Sequence, residues 1–180
     1  RLDEAQEVLQ RALRFGRKEL RDGEELAVDS RNVHAFIIGE HGDSELAVWS
    51  GANISGIPLT HFCELRGYYN HADADAWLQR EVRDSAYEII RRKGATYYGI
   101  GMALVRITRA IFGNESSVLT VSAMLRGEYG QSDVFVGAPC IVGRNGIQRT
   151  LTLSLNEEEL EKFRLSCDTL REFYDGLRIR

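Results

Sequence analysis

Three strand-like runs follow one another between Val118 and Leu155, and no segment between them is long enough to form a helix. Val118–Leu125, Val134–Val142 and Ile147–Leu155 are apolar and rich in β-branched residues, which suit a pleated, half-buried surface. Gly127 and Gly130 punctuate the first gap, and Arg144-Asn145-Gly146 fills the second, where Asn-Gly is a favoured hairpin turn. Strands in direct succession, with helical patterns before and after them, lack the strand–helix alternation of a doubly wound sheet. A doubly wound sheet is therefore not expected.

Helical spacing surrounds these strands. Apolar residues recur at Leu2, Ala5, Val8, Leu9, Ala12, Leu13 and Leu20, and again at Trp77, Leu78, Val82, Ala86, Ile89 and Ile90. Gly94 interrupts the second pattern, and Ala95–Phe112 resumes it with a more apolar face, which predicts a deeply packed helix. Asn156 caps a final helix over Asn156–Tyr174, with Glu157–Glu159 in the first turn, where acids complement the helix dipole. Upstream, Val33–Ile38 and Leu46–Ser50 are expected as short strands and Gly51–Pro58 as a loop. The expected class is α+β, an antiparallel sheet packed with long helices.

A chain of 180 residues fits one domain, or a large piece of one, and can bury a real core. A net charge of −4 and the lack of any Lys/Arg stripe argue against a nucleic-acid partner. The apolar stretches are too short to span a bilayer, and the start carries no signal-peptide core. The first residue is Arg1 and not Met, which leads us to expect a fragment or a processed chain. Cys63, Cys140 and Cys167 form no closely spaced pair and are expected to be reduced thiols in a cytoplasmic protein. The histidines make no ligand pattern, so no metal site is expected.

One segment stands out chemically. Ile37–Glu45 reads IIGEHGDSE and fixes His41 between Gly39 and Gly42, with Glu40 and Asp43 beside it. Histidine is the side chain whose ordinary pKa, about 6.5, lets it hold or release a proton at neutral pH. The glycines would let the backbone bend and a planar substrate approach closely. Locally, the alternative is a surface histidine in a glycine turn, with Glu40 and Asp43 as solvated carboxylates.

In wider context, NVHAFIIGEHGDSELAVWSGANISGIPL (Asn32–Leu59) resembles the catalytic-histidine segment of L-lactate dehydrogenases. RRKGATYYGIGMALVRITRAI (Arg91–Ile111) resembles their substrate-pocket helix, and Ser117–Ile147 resembles their C-terminal antiparallel sheet. The likeness runs from about Asp29 to the end and covers only the substrate-binding half of such an enzyme in the lactate/malate dehydrogenase superfamily. It implies residues 29–180 as that C-terminal domain and residues 1–28 as a divergent helical segment. By the resemblance, His41 is the acid/base residue for interconverting pyruvate and L-lactate with NAD. Thr96 is the pocket threonine, and Ile100 the apolar wall beside the nicotinamide. A threonine wall suits a small methyl-bearing 2-keto acid better than a dicarboxylate.

The chain also departs from that pattern. The family carries a Leu-Asp-x-Ala-Arg helix, whose acid orients the histidine and whose arginine forks onto the substrate carboxylate. Here Leu2–Gln6 begins correctly but places Gln6 at the arginine and lies too far upstream, while gap-free counting puts Arg17 in the arginine slot and Arg14 in the acid slot. Arg17 is taken as the carboxylate partner, with Asp3 a candidate orienting acid. His34 matches a histidine that binds fructose 1,6-bisphosphate in bacterial members, but Glu19 at its partner position would repel phosphate.

No Gly-rich nucleotide-binding turn and no Rossmann half are present, so the chain is expected to be inactive without another polypeptide to supply them. Family members are usually homo-oligomers. A malate dehydrogenase-like enzyme, or a non-catalytic interaction or oligomerisation domain, are the alternatives, the latter favoured by Gln6 and Arg14.

Overall fold

The structure, a computed structural model, describes residues 28–65, 87, 90–92, 94 and 97–177. In chain order the strands are β1 (Val33–His34), β2 (Ile37–Ile38), β3 (Leu46–Ala47), β4 (Asn53–Ile54), β5 (Ile57–Pro58), β6 (Ser117–Arg126), β7 (Ser132–Gly143) and β8 (Gly146–Thr150). The helices are α1 (Leu59–Leu65), α2 (Tyr98–Phe112) and α3 (Glu157–Gly176). The chain divides into two compact units, Arg1–Ala35 with Gly51–Gly101, and Phe36–Ser50 with Met102–Arg180.

In the first unit β4 lies between β1 and β5, all antiparallel. The segment expected as a loop is thus a tight hairpin. Ser55 (φ 50) and Gly56 (φ 85) both take the left-handed region, the geometry that two-residue hairpin turns favour. Strands of two residues carry no legible alternation, which is why the pattern missed them. Among the described residues of this unit, Val33, Ala52, Ile54 and Leu59 are buried. Of the helix expected over Asp73–Lys93, Tyr87 and residues 90–92 are described and are helical. Gly94, at φ 76, donates to the Ile90 carbonyl at 2.7 Å, the left-handed glycine ending that the sequence break implied. The helix expected over Leu2–Leu20 lies outside the described residues.

The second unit is built on the meander β6-β7-β8. All three strands stand where the apolar runs put them, except that β8 ends at Thr150, the Leu151 amide still donating to the Pro139 carbonyl at 2.7 Å. The β7–β8 turn is made by Arg144 and Asn145, with Gly146 at φ 83 opening β8, so glycine takes the left-handed position just after the turn. Leu125, Val134, Val136 and Ala138 pack against Phe163 and Cys167 of α3, together with Ile38, Leu46 and Val48. Leu119, Ala123, Cys140 and Val142 pack against Ala110, with Ile107 and Ile111 partly buried beside it.

Val33–Ile38, expected as one strand, is two. β1 pairs with β4, whereas β2 pairs with β3 in the second unit. His34 and His41 therefore share no continuous strand. Helix α2 also differs from expectation. Only Ala110 of it is fully buried, while Ile100, Met102, Leu104, Val105 and Phe112 are each more than half exposed. Its C-terminal turns alone meet the sheet, so an apolar surface remains that this chain's described residues do not cover.

Helix α3 begins as its sequence requires. The Asn156 side chain accepts from the Glu159 amide at 2.8 Å, and the Glu159 carboxylate accepts from the Asn156 amide at 3.1 Å, completing a capping box. The same carboxylate accepts from the Ser50 amide at 2.9 Å and from the Ser50 hydroxyl, tying β3's exit to the helix start. With these donors, a carboxylate only 6% exposed is satisfied.

Candidate active site

His41 sits on the loop that joins β2 to β3, and the loop's stem is fixed from two sides. Gly39 and Gly137 of β7 exchange backbone hydrogen bonds at 2.9 and 3.0 Å. A Cβ on Gly137 would stand 2.8 Å from the Gly39 carbonyl oxygen, so the approach requires glycine there. Gly39 itself has φ 98, and a Cβ on it would stand 2.7 Å from the Ser166 hydroxyl of α3. Glycine is therefore demanded at Gly39 by backbone conformation and by contact together.

Beyond Gly39 the chain curls over the Glu40 side chain. The Glu40 carboxylate accepts from the Ser44 hydroxyl at 2.8 Å and from the Ser44 amide at 3.3 Å. A Cβ on Gly42 would land on that carboxylate, so any larger residue there would displace the Glu40 side chain from its bonds to Ser44. Glu40 is thus an internal brace of the loop and not a solvated carboxylate. Its amide donates to Ser166 Oγ at 2.7 Å. Asp43 is exposed. The His41 ring is exposed at the tip and has no hydrogen-bond partner among the described residues.

Of the other residues singled out from the sequence, Ile100 lies in the first turn of α2 with its side chain 54% exposed. His34 is exposed on β1, opposite Asn53. His41 belongs to the second unit, and Ile100 and His34 to the first. Thr96, Arg17, Asp3, Gln6, Arg14 and Glu19 lie outside the described residues. Sequence reasoning missed Gly137, Ser44 and Ser166. Ser166 left one trace, a hydroxyl on the helix face that carries Phe163, Cys167 and Leu170.

The sequence matches the lactate/malate dehydrogenase alpha/beta C-terminal domain over residues 13–176. The chain belongs to the lactate/malate dehydrogenase family. It is 52% identical over 143 residues to an L-lactate dehydrogenase of Bacillus pumilus, covering 79% of this chain and 45% of that protein. Among solved structures, a ligand-bound minor L-lactate dehydrogenase of Enterococcus mundtii is 41% identical with a TM-score of 0.80, over 96% of this chain and 53% of the other. A malate dehydrogenase of Cryptosporidium parvum, 26% identical, has a TM-score of 0.83 over 98% of this chain and 53% of its own. The chain spans about half the length of the curated relatives it matches. The likeness falls on the alpha/beta C-terminal domain of that family. Among the described residues no helix is long and apolar enough to cross a membrane.

Proposed function

We propose that this chain is the substrate-binding and catalytic half of an NAD-dependent L-lactate dehydrogenase that interconverts pyruvate and L-lactate. The observation that carries the reading is the braced loop Gly39–Ser44, which commits three glycines and a buried serine to presenting one exposed imidazole. The names of the relatives support lactate over malate, as does a threonine at Thr96.

In this reading His41 holds the proton. As imidazolium it donates a hydrogen bond to the ketone oxygen, draws electron density from the carbonyl carbon, and delivers the proton as the alcohol forms. In the reverse direction the neutral ring takes the hydroxyl proton. Arg17 binds the substrate carboxylate through two parallel N–H bonds, and Thr96 bounds the methyl side of the pocket. NAD, when bound, supplies or accepts the hydride. The exposed apolar side chain of Ile100 fits the nicotinamide end of that cofactor, and the nucleotide end belongs to a domain outside residues 29–180. The protein works in the cytoplasm as a homo-oligomer, and the uncovered apolar surface of α2 is consistent with that assembly. His34 is at most half of an effector site and otherwise a plain strand histidine. With Glu19 at the partner position in the sequence, fructose 1,6-bisphosphate is expected to bind weakly or not at all.

The test is oxamate, an inert pyruvate analogue, titrated into the chain with NADH and a complementing nucleotide-binding domain. His41→Asn and Arg17→Gln are each expected to weaken binding by at least about tenfold, the scale of a charge-assisted hydrogen bond. Unchanged binding in both variants would point to the non-catalytic alternative.

A further inference from the structure

Ser166 is fully buried on α3, among Phe163 and Cys167, which are also fully buried. A hydroxyl on that face is costly unless it is bonded, and alanine would serve the packing as well. Helical serines and threonines commonly return the hydroxyl to their own helix, as Thr169 does to the Leu165 carbonyl at 3.0 Å. Ser166 does not. Its oxygen accepts from the Glu40 amide at 2.7 Å and lies 3.3 Å from Ser44 Oγ.

The hydrogens can be assigned by counting. Ser44 Oγ gives its hydrogen to the Glu40 carboxylate at 2.8 Å, so between the two hydroxyls Ser166 is the donor. The bonds then form a ring: the Glu40 amide to Ser166, Ser166 to Ser44, and Ser44 to the Glu40 carboxylate. The ring begins and ends on the residue that precedes His41. One residue earlier, Gly39 is held by Gly137. Because the imidazole has no partner of its own among the described residues, its aim is set by the backbone that these two anchors fix.

We propose that Ser166 is the positioning residue for His41, acting through the Glu40 amide and Ser44. The proposal rests on reading His41 as the acid/base group. No local spacing links Ser166 to the loop, since 126 positions separate it from Glu40.

The experiment compares Ser166→Ala with Cys167→Ala in the 180-residue chain, the latter an equally buried neighbour that takes no part in the ring of hydrogen bonds. Amide exchange and the His41 ring signals are followed by NMR at a temperature where both variants are folded by circular dichroism. Ser166→Ala is expected to speed exchange of the Glu40 amide roughly tenfold or more and to shift the His41 ring signals. Cys167→Ala should leave both at wild-type values whatever it does to the melting temperature. If Ser166→Ala does not fold, Ser44→Ala opens the same ring at a half-buried site and is expected to shift the same signals. Identical Glu40 exchange and His41 signals in the serine variant and the wild type would overturn the proposal.

Turnover separates this from the reading beneath it. With NADH and a complementing nucleotide-binding domain, Ser166→Ala should lower kcat roughly 10- to 100-fold, the cost of misplacing a reacting group by about an ångström. Turnover surviving in His41→Asn would remove the acid/base assignment. A dead His41→Asn beside a Ser166→Ala that matches Cys167→Ala would leave that assignment standing and sink the positioning role.

Discussion

At the residue scale, the second unit hides its titratable thiols. Burial pushes the Cys167 thiol up to about 11 from an ordinary 9.0, and it also raises Cys140 and the phenol of Tyr129. A group whose pKa is higher in the folded state stabilises the fold fully below its unfolded pKa and ceases to do so as pH climbs through the folded value. The urea midpoint is therefore expected to hold level up to about pH 8.5 and to fall between about pH 9 and 11. Replacing Cys167 with alanine should flatten part of that fall, leaving the share due to Cys140 and Tyr129. An alkaline limb unchanged in Cys167→Ala would contradict the assignment. The same scale shows why the loop's glycines were visible in the sequence while their reasons were not. Gly42 makes room for a carboxylate two residues away, and Gly39 for a hydroxyl on a distant helix.

Elements report how far local rules reach. The start of α3 follows from Asn156 and Glu159 alone, and the capping box forms as that spacing requires. What the spacing did not reveal is that Glu159 also accepts from Ser50, 109 positions away. Asn156→Ala should therefore cost about 1 kcal/mol, the usual loss of a cap. Glu159→Ala should cost roughly 2–4 kcal/mol, because it strands the Ser50 and Asn156 amides as well. Urea denaturation of the two variants checks the order, and equal losses would show that the Ser50 bonds add nothing. Helix α2 makes the converse point. Its residues are apolar on several sides, which predicted deep packing, yet the sheet takes only Ile107, Ala110 and Ile111. Composition reports that a surface will be covered, not whether the cover belongs to the same chain.

For the molecule as a whole, the proposed chemistry divides between two bodies. On the proposed reading His41 supplies the proton, and NAD, bound outside residues 29–180, supplies the hydride. The chain alone, given pyruvate and NADH, is expected to consume no NADH, and adding a nucleotide-binding domain should start turnover. Pyruvate reduction needs the imidazolium and should weaken as pH rises through the histidine's titration, whereas lactate oxidation needs the neutral ring and should strengthen. Parallel pH profiles in the two directions would exclude His41 as the proton carrier.

By itself, the sequence determined the three-stranded meander, the capped final helix, the break at Gly94 and the glycine-flanked histidine. Each of these is written in neighbours a few residues apart, through turn chemistry, period and capping. Only the tertiary structure decided that Val33–Ile38 divides between two sheets, that Gly51–Pro58 closes into a hairpin, and that Gly137 and Ser166 clamp the loop. The divided strand and the hairpin rest on pairings of two residues each, too short to show a period. The clamp joins Glu40 to a hydroxyl 126 positions away, a span that leaves no periodic mark along the chain.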